Sequence, residues 1–178
     1  MQVQTFDDIG NSFDAWESKA DELLYCSEGL QDLANMRASK VYEIMEQLSH
    51  IVKVSWVMKM LIGFAIECLI KAVWLKDGNK LCSEGKFIGI EGIKNHKIHE
   101  MISKIGLTIS QDERTVLKIL GAVATSGGRY PVFTKYDSLE KDFGLGNMNF
   151  SQEWNSQTLE PAFFTLIKKL KSRLKKWT

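Results

Sequence analysis

The chain has 178 residues, the length of one ordinary domain, and its 44% hydrophobic content, with nine Phe and five Trp, can fill a core. A net charge of +1 removes any global electrostatic argument for nucleic acid or membrane, and 25% charged residues without a long polar tract exclude a disordered tail. Three cysteines, Cys26, Cys68 and Cys82, with no C-x-x-C pair argue against a disulfide framework or a zinc ribbon.

Only two prolines interrupt the chain, which leaves room for long helices. The expected fold is all-α: a single domain over residues 1–178, built as a bundle of four or five helices. The N-terminus lacks the positive region and apolar stretch of a signal peptide, so a cytoplasmic protein is expected. The segment 54–75 is the best membrane candidate. Lys59, Glu67 and Lys71 interrupt it, and its longest uncharged run, 60–66, is far short of the roughly 18 apolar residues a span needs. It reads as a buried helix.

The first helix is predicted over about 13–48. Ala20, Leu23, Cys26, Leu30, Leu33, Val41, Ile44 and Leu48 recur mostly at three- and four-residue steps. Ile51, Val52 and Val54, flanked by Ser49 and Ser55, suggest a break before a second helix over 55–76. That second helix is apolar nearly all round, as a central bundle helix should be. Asp77-Gly78-Asn79 stops it, with Gly78 as a left-handed cap. A glycine-rich connector with Phe87, Ile88 and Ile90 follows, with room for a short extended piece. A third helix is expected over 96–105.

Ser110 and Glu113 have the spacing of a capping box, which starts a fourth helix burying Val116, Leu120 and Val123 and ending at Gly127-Gly128. The last helix, about 159–177, carries a seam of Phe163, Ile167, Leu170, Leu174 and Trp177. This seam and the long first helix offer more apolar surface than one small bundle needs, which predicts a homodimer. Charge is uneven along the chain. Residues 1–36 hold eight acids against one base, Lys19, while the last eighteen residues hold six bases and no acid. Such asymmetry fits a nucleic-acid footprint, or helix dipoles and ends that pair with each other.

Three places could carry chemistry. Glu67 and Lys71 stand four residues apart in the favourable order, either as a functional pair or as a solvated or partly buried one. His96 and His99, with Glu100, share a helix face; no third histidine motif follows, so no metal and no cofactor are expected, and a nucleotide-contacting histidine is one use for them. Gly127-Gly128-Arg129-Tyr130-Pro131 presents a guanidinium fork suited to phosphate and an aromatic face suited to a base. Its alternative is structural, with Tyr130 packed on the bundle end and Arg129 paired to an acid such as Glu67. Phosphate-binding glycine loops, nucleophile elbows and H-E-x-x-H are all absent, and Cys68 reads as packing.

Read together, Gly63-Phe-Ala-Ile-Glu67-Cys-Leu-Ile-Lys71-Ala, then His96-Lys-Ile-His99, then a capped helix ending in Gly-Arg-Tyr-Pro resemble the HEPN (higher eukaryotes and prokaryotes nucleotide-binding) domain superfamily over about 54–132. The resemblance implies a helical bundle, usually homodimeric, acting in RNA metabolism, toxin–antitoxin or phage-defence systems. Catalytic members are metal-independent ribonucleases with Arg-x(4–6)-His. Here no histidine follows His99, so Arg114, Arg129 and Arg173 have no such partner, and neither does Arg37. The expected function is therefore nucleotide or RNA binding without catalysis, with Glu67, Lys71, His96, His99, Arg129 and Tyr130 as ligand-binding residues. Two alternatives stand beside it: a divergent ribonuclease using His96 or His99, and a non-catalytic helical dimer that binds a protein partner.

Overall fold

The computed structural model describes residues 5–38, 45–93, 96–127 and 159–175. Six α-helices and one two-stranded hairpin make up this part. The first helix, α1 (Phe6–Gly10), is a single turn that the sequence reading missed. Its start is a capping box: Thr5 Oγ1 accepts from the Asp8 amide at 3.2 Å, and the Thr5 amide donates to Asp8 Oδ2 at 2.9 Å. Ser12 Oγ then accepts from the Ala15 amide, next to the start of α2 (Phe13–Ala38).

The central helix, α3 (Met45–Lys76), corrects the predicted boundary. The predicted first helix ends at Ala38 rather than near 48, and no break occurs at 49–55. β-Branched residues cost a helix only tenths of a kcal/mol each, too little to stop one on their own. The two helices run antiparallel, since Phe13 and Trp16 at the start of α2 lie beside Lys76 and Lys71 at the end of α3.

Ile66, Leu69, Ile70, Ala72 and Val73 of α3 are fully enclosed, as the all-round apolar pattern predicts. Helix α3 touches α2, α4 (Ile98–Lys104), α5 (Gln111–Ala122) and α6 (Leu159–Lys175). It ends in a Schellman turn: the Gly78 amide donates to Leu75 O and the Asn79 amide to Trp74 O, with Gly78 at φ +87°. The connector holds a hairpin, β1 (Cys82–Ser83) with β2 (Lys86–Phe87), registered Cys82 to Phe87. Asn11 fastens the preceding turn to it, accepting from the Leu81 and Cys82 amides at 2.8 and 2.9 Å and donating to Cys82 O.

Helix α4 starts two residues later than predicted and buries Ile98, Met101 and Ile102. The Ser110–Glu113 capping box forms as expected, and Val116, Leu120 and Val123 are buried. A π turn, Val123–Gly127, follows α5. It lies against α3 where Gly63 permits a close approach: a Cβ there would meet Leu120 O at 2.9 Å and the Ala124 Cβ at 3.1 Å.

The buried face of α6 is Leu159, Phe163, Leu166, Leu170 and Leu174; Ile167 is only partly buried, and Trp177 lies outside the described residues. Phe163, Leu170 and Leu174 of the predicted seam are packed within the chain. The uneven ends do pair in part: Lys171 Nζ is 2.6 Å from Asp21 Oδ1. Arg173 reaches Asp77 at 2.8 Å and also donates to Ile105 O. Among the described residues no helix is long and apolar enough to cross a membrane.

Candidate functional site

Lys59, Gly63, Glu67 and Lys71 recur every four residues along α3, so they form one line on the helix that carries most of the core. The Glu67–Lys71 pair is buried: Lys71 Nζ lies 2.6 Å from Glu67 Oε1, with both side chains largely enclosed. Two aromatic rings lie beside the ammonium. Trp16 lies 4.6 Å away by its ring centroid, and Phe87 of β2 lies 5.0 Å away. Trp16 is itself held by its indole N–H, which donates to Gly10 O at 2.9 Å. Such ring faces stabilise a cation most where water is excluded.

The other oxygen of Glu67 reaches across to the segment before α4. Glu67 Oε2 and His96 Nδ1 are 2.6 Å apart. The imidazole packs edge-on against Phe64 at 5.2 Å, and the His96 side chain remains 30% exposed. One buried carboxylate therefore serves an internal ammonium with one oxygen and a partly exposed imidazole with the other. In the neutral ring, a carboxylate at Nδ1 selects the tautomer with its proton there and directs Nε2 to the opposite edge as an acceptor. In the protonated ring both nitrogens donate, and the ion pair gains a full charge.

Of the predicted site residues, Glu67, Lys71 and His96 meet. His99 lies one position into α4, with Nε2 3.9 Å from Glu100 Oε1. Arg129 and Tyr130 lie outside the described residues. Both Glu67 oxygens are engaged by Lys71 and His96, which is the role the structural alternative gave to Arg129. Among the described residues no group of three His, Cys, Asp or Glu is arranged to hold a metal ion.

Sequence reasoning missed the aromatic partners and Lys59. Trp16 and Phe87 come from elements distant in sequence from α3, so no local spacing announces them. In the sequence Lys59 stands out only as an interruption of an apolar segment. It is 3% exposed, one turn before Gly63, with its ammonium 5.9 Å from the Trp56 ring. Burial pushes its pKa down to about 8. Burial likewise pushes the Cys68 thiol up to about 11, in keeping with a packing role.

No protein-family model, curated protein or solved structure matches this chain.

Proposed function

We propose that the chain is a HEPN-like helical module that binds RNA or a nucleotide at the outer edge of the Glu67–Lys71–His96 cluster without cleaving it, in a toxin–antitoxin or phage-defence setting. One observation carries the reading: a buried carboxylate holds an imidazole at 2.6 Å where the fold opens to solvent. A histidine fixed this way offers a directed polar edge, and a cation when protonated, to a phosphate or a base. Phe64 beside it adds an aromatic neighbour. Glu67 itself is neutralised by Lys71, so its charge does not repel an anionic ligand. The absence of Arg-x(4–6)-His from the sequence supports binding over cleavage.

A labelled single-stranded RNA and a labelled adenine nucleotide, titrated with the purified chain and followed by anisotropy, test the proposal. Binding is expected to weaken as salt rises, through counterion release. His96→Ala should weaken it by about tenfold, the equivalent of roughly 1.4 kcal/mol. Absence of binding to either probe, or binding indifferent to His96→Ala, contradicts the reading.

The same dyad favours a second reading, a divergent metal-independent ribonuclease. A carboxylate-oriented imidazole is the usual arrangement of a general acid or base. RNA cleavage by the purified chain that disappears in His96→Ala would select it.

A further inference from the structure

Helix α2 has two apolar faces. Ala20, Leu23, Ser27 and Leu30 turn toward the core, where Ala20 and Ser27 are buried. On the opposite side Tyr25, Gly29, Leu33 and Met36 fall into line at steps of four, four and three. Tyr25 is 77% exposed and Met36 60%, with Leu33 also exposed. Gly29 sits in the middle of this line, and a Cβ there would meet nothing within 4 Å. Glycine inside a helix is destabilising relative to alanine, and the fold does not need it at this position. What it provides is a notch in an exposed apolar stripe.

The charge along the stripe is one-sided. Between Asp21 and Met36 the helix has four acids and no base, and one of the four, Glu22, is paired with Lys19 just before this stretch. Asp21, Glu28 and Asp32 form a ridge along one edge of the stripe, by the angular positions of residues seven and four apart. Asp21 is tied to Lys171, whereas Glu28 and Asp32 are exposed and take part in no ion pair among the described residues.

From this we infer that the outer face of α2 docks an amphipathic basic helix of a protein partner. Apolar side chains of the partner seat between Tyr25 and Met36 over the Gly29 notch, and its Lys or Arg residues face Glu28 and Asp32. A second copy of the chain fits poorly. Two α2 helices crossing antiparallel at Gly29 would bring their acidic ridges together with no base from this stretch to offset them. Nucleic acid is repelled by the same ridge. The inference stands apart from the Glu67 cluster, because it uses a different face of a different helix.

The test uses the full chain and two labelled synthetic helices of about 14 residues, four turns long. One carries Leu on one face and Lys on the other; its counterpart replaces every Lys with Glu. The Leu–Lys helix should bind and the Leu–Glu helix should not. Tyr25→Ser with Met36→Ser should weaken Leu–Lys binding by about tenfold or more, as loss of two large apolar contacts does. Glu28→Lys with Asp32→Lys should reverse the preference toward the Leu–Glu helix. Gly29→Leu gives a readout that a merely structural glycine would not: a higher Tm together with weaker docking. Absence of Leu–Lys binding, or binding that survives all three changes, overturns the inference. So does sedimentation of a dimer that Tyr25→Ser with Met36→Ser converts to monomer, because the face would then belong to a second copy.

Discussion

Glu67 and Glu113 are both buried glutamates that meet a lysine, yet the fold uses them in opposite ways. Glu113 closes the N-terminus of its own helix: Oε2 accepts from the Ser110 amide at 2.6 Å and from Lys169 at 2.7 Å, while Oε1 has no hydrogen-bond partner among the described residues. Its place is set by a helix start, whose first amide it accepts from, with Lys169 of α6 beside it. Glu67 lies mid-helix, where no backbone donor needs it. Both of its oxygens are instead committed to side chains, Lys71 inward and His96 toward solvent. A buried carboxylate that helix formation does not require, but that fixes a partly exposed imidazole, has the character of a site. One that caps a helix has the character of scaffold.

The largest effect expected from this difference is on Glu67→Ala. It strands the Lys71 ammonium between Trp16 and Phe87 without its carboxylate, at a cost of about 3–5 kcal/mol. Thermal unfolding should show a Tm lower by roughly 10 °C for a chain of this size. A loss under about 1 kcal/mol would mean that water or another acid replaces Glu67, and the contrast with Glu113 would collapse.

Lys59 sharpens the comparison from the other side, as a buried lysine whose pKa is depressed to about 8. The unfolded chain binds a proton that the folded chain gives up between about pH 8 and 10.5, so stability rises with pH from the lower end of that window. Above about pH 9 the raised Cys68 pKa opposes the trend, since the folded thiol keeps a proton that the unfolded one loses. Denaturant unfolding should therefore show a rise of about 1 kcal/mol from pH 8 to 9 that flattens above it. Lys59→Met should remove this rise, because the group that gives up its proton on folding is gone. A rise of the same size in Lys59→Met would show that another group carries the pH dependence.

Glu113→Ala comes next, at about 1–2 kcal/mol for a lost cap and a pair with Lys169 that is open to solvent only on the lysine side. Glu113→Gln should recover most of this loss, because an amide oxygen can still accept from Ser110. Chemical denaturation of both variants checks the ordering, which fails if Gln is as costly as Ala. The smallest stability effect, about 1 kcal/mol, is expected for His96→Ala, since water reaches the half-open position and can replace the imidazole at Glu67. Loss of several kcal/mol there would make His96 scaffold as well.

How much of this was legible in the sequence follows the same division. Features governed by local rules were readable: the Ser110–Glu113 box, the Gly78 stop, and the all-round apolar pattern of the central helix. The helix boundary near 50 was not, because β-branched residues weaken a helix without ending one. Thr5 and Asp8 form a capping box like that of Ser110, but no apolar run follows to draw attention to it. At the site, the four-residue step exposed Glu67 and Lys71, and the segment 96–99 exposed His96 as a candidate. Their junction depends on how the chain returns from α3 to α4, and no spacing encodes that return. Trp16 and Phe87 converge on Lys71 for the same tertiary reason.

The central claim is that His96, held by Glu67, contacts the ligand, and the most direct measurement is NMR of the His96 imidazole during titration with single-stranded RNA or an adenine nucleotide. The His96 ring signals, assigned by their loss in His96→Ala, should move in proportion to saturation and move less as salt is raised. Glu67→Gln, in a sample verified to be folded, should reduce the shift by freeing the ring to reorient. Binding that saturates while the His96 signals stay still would contradict the account.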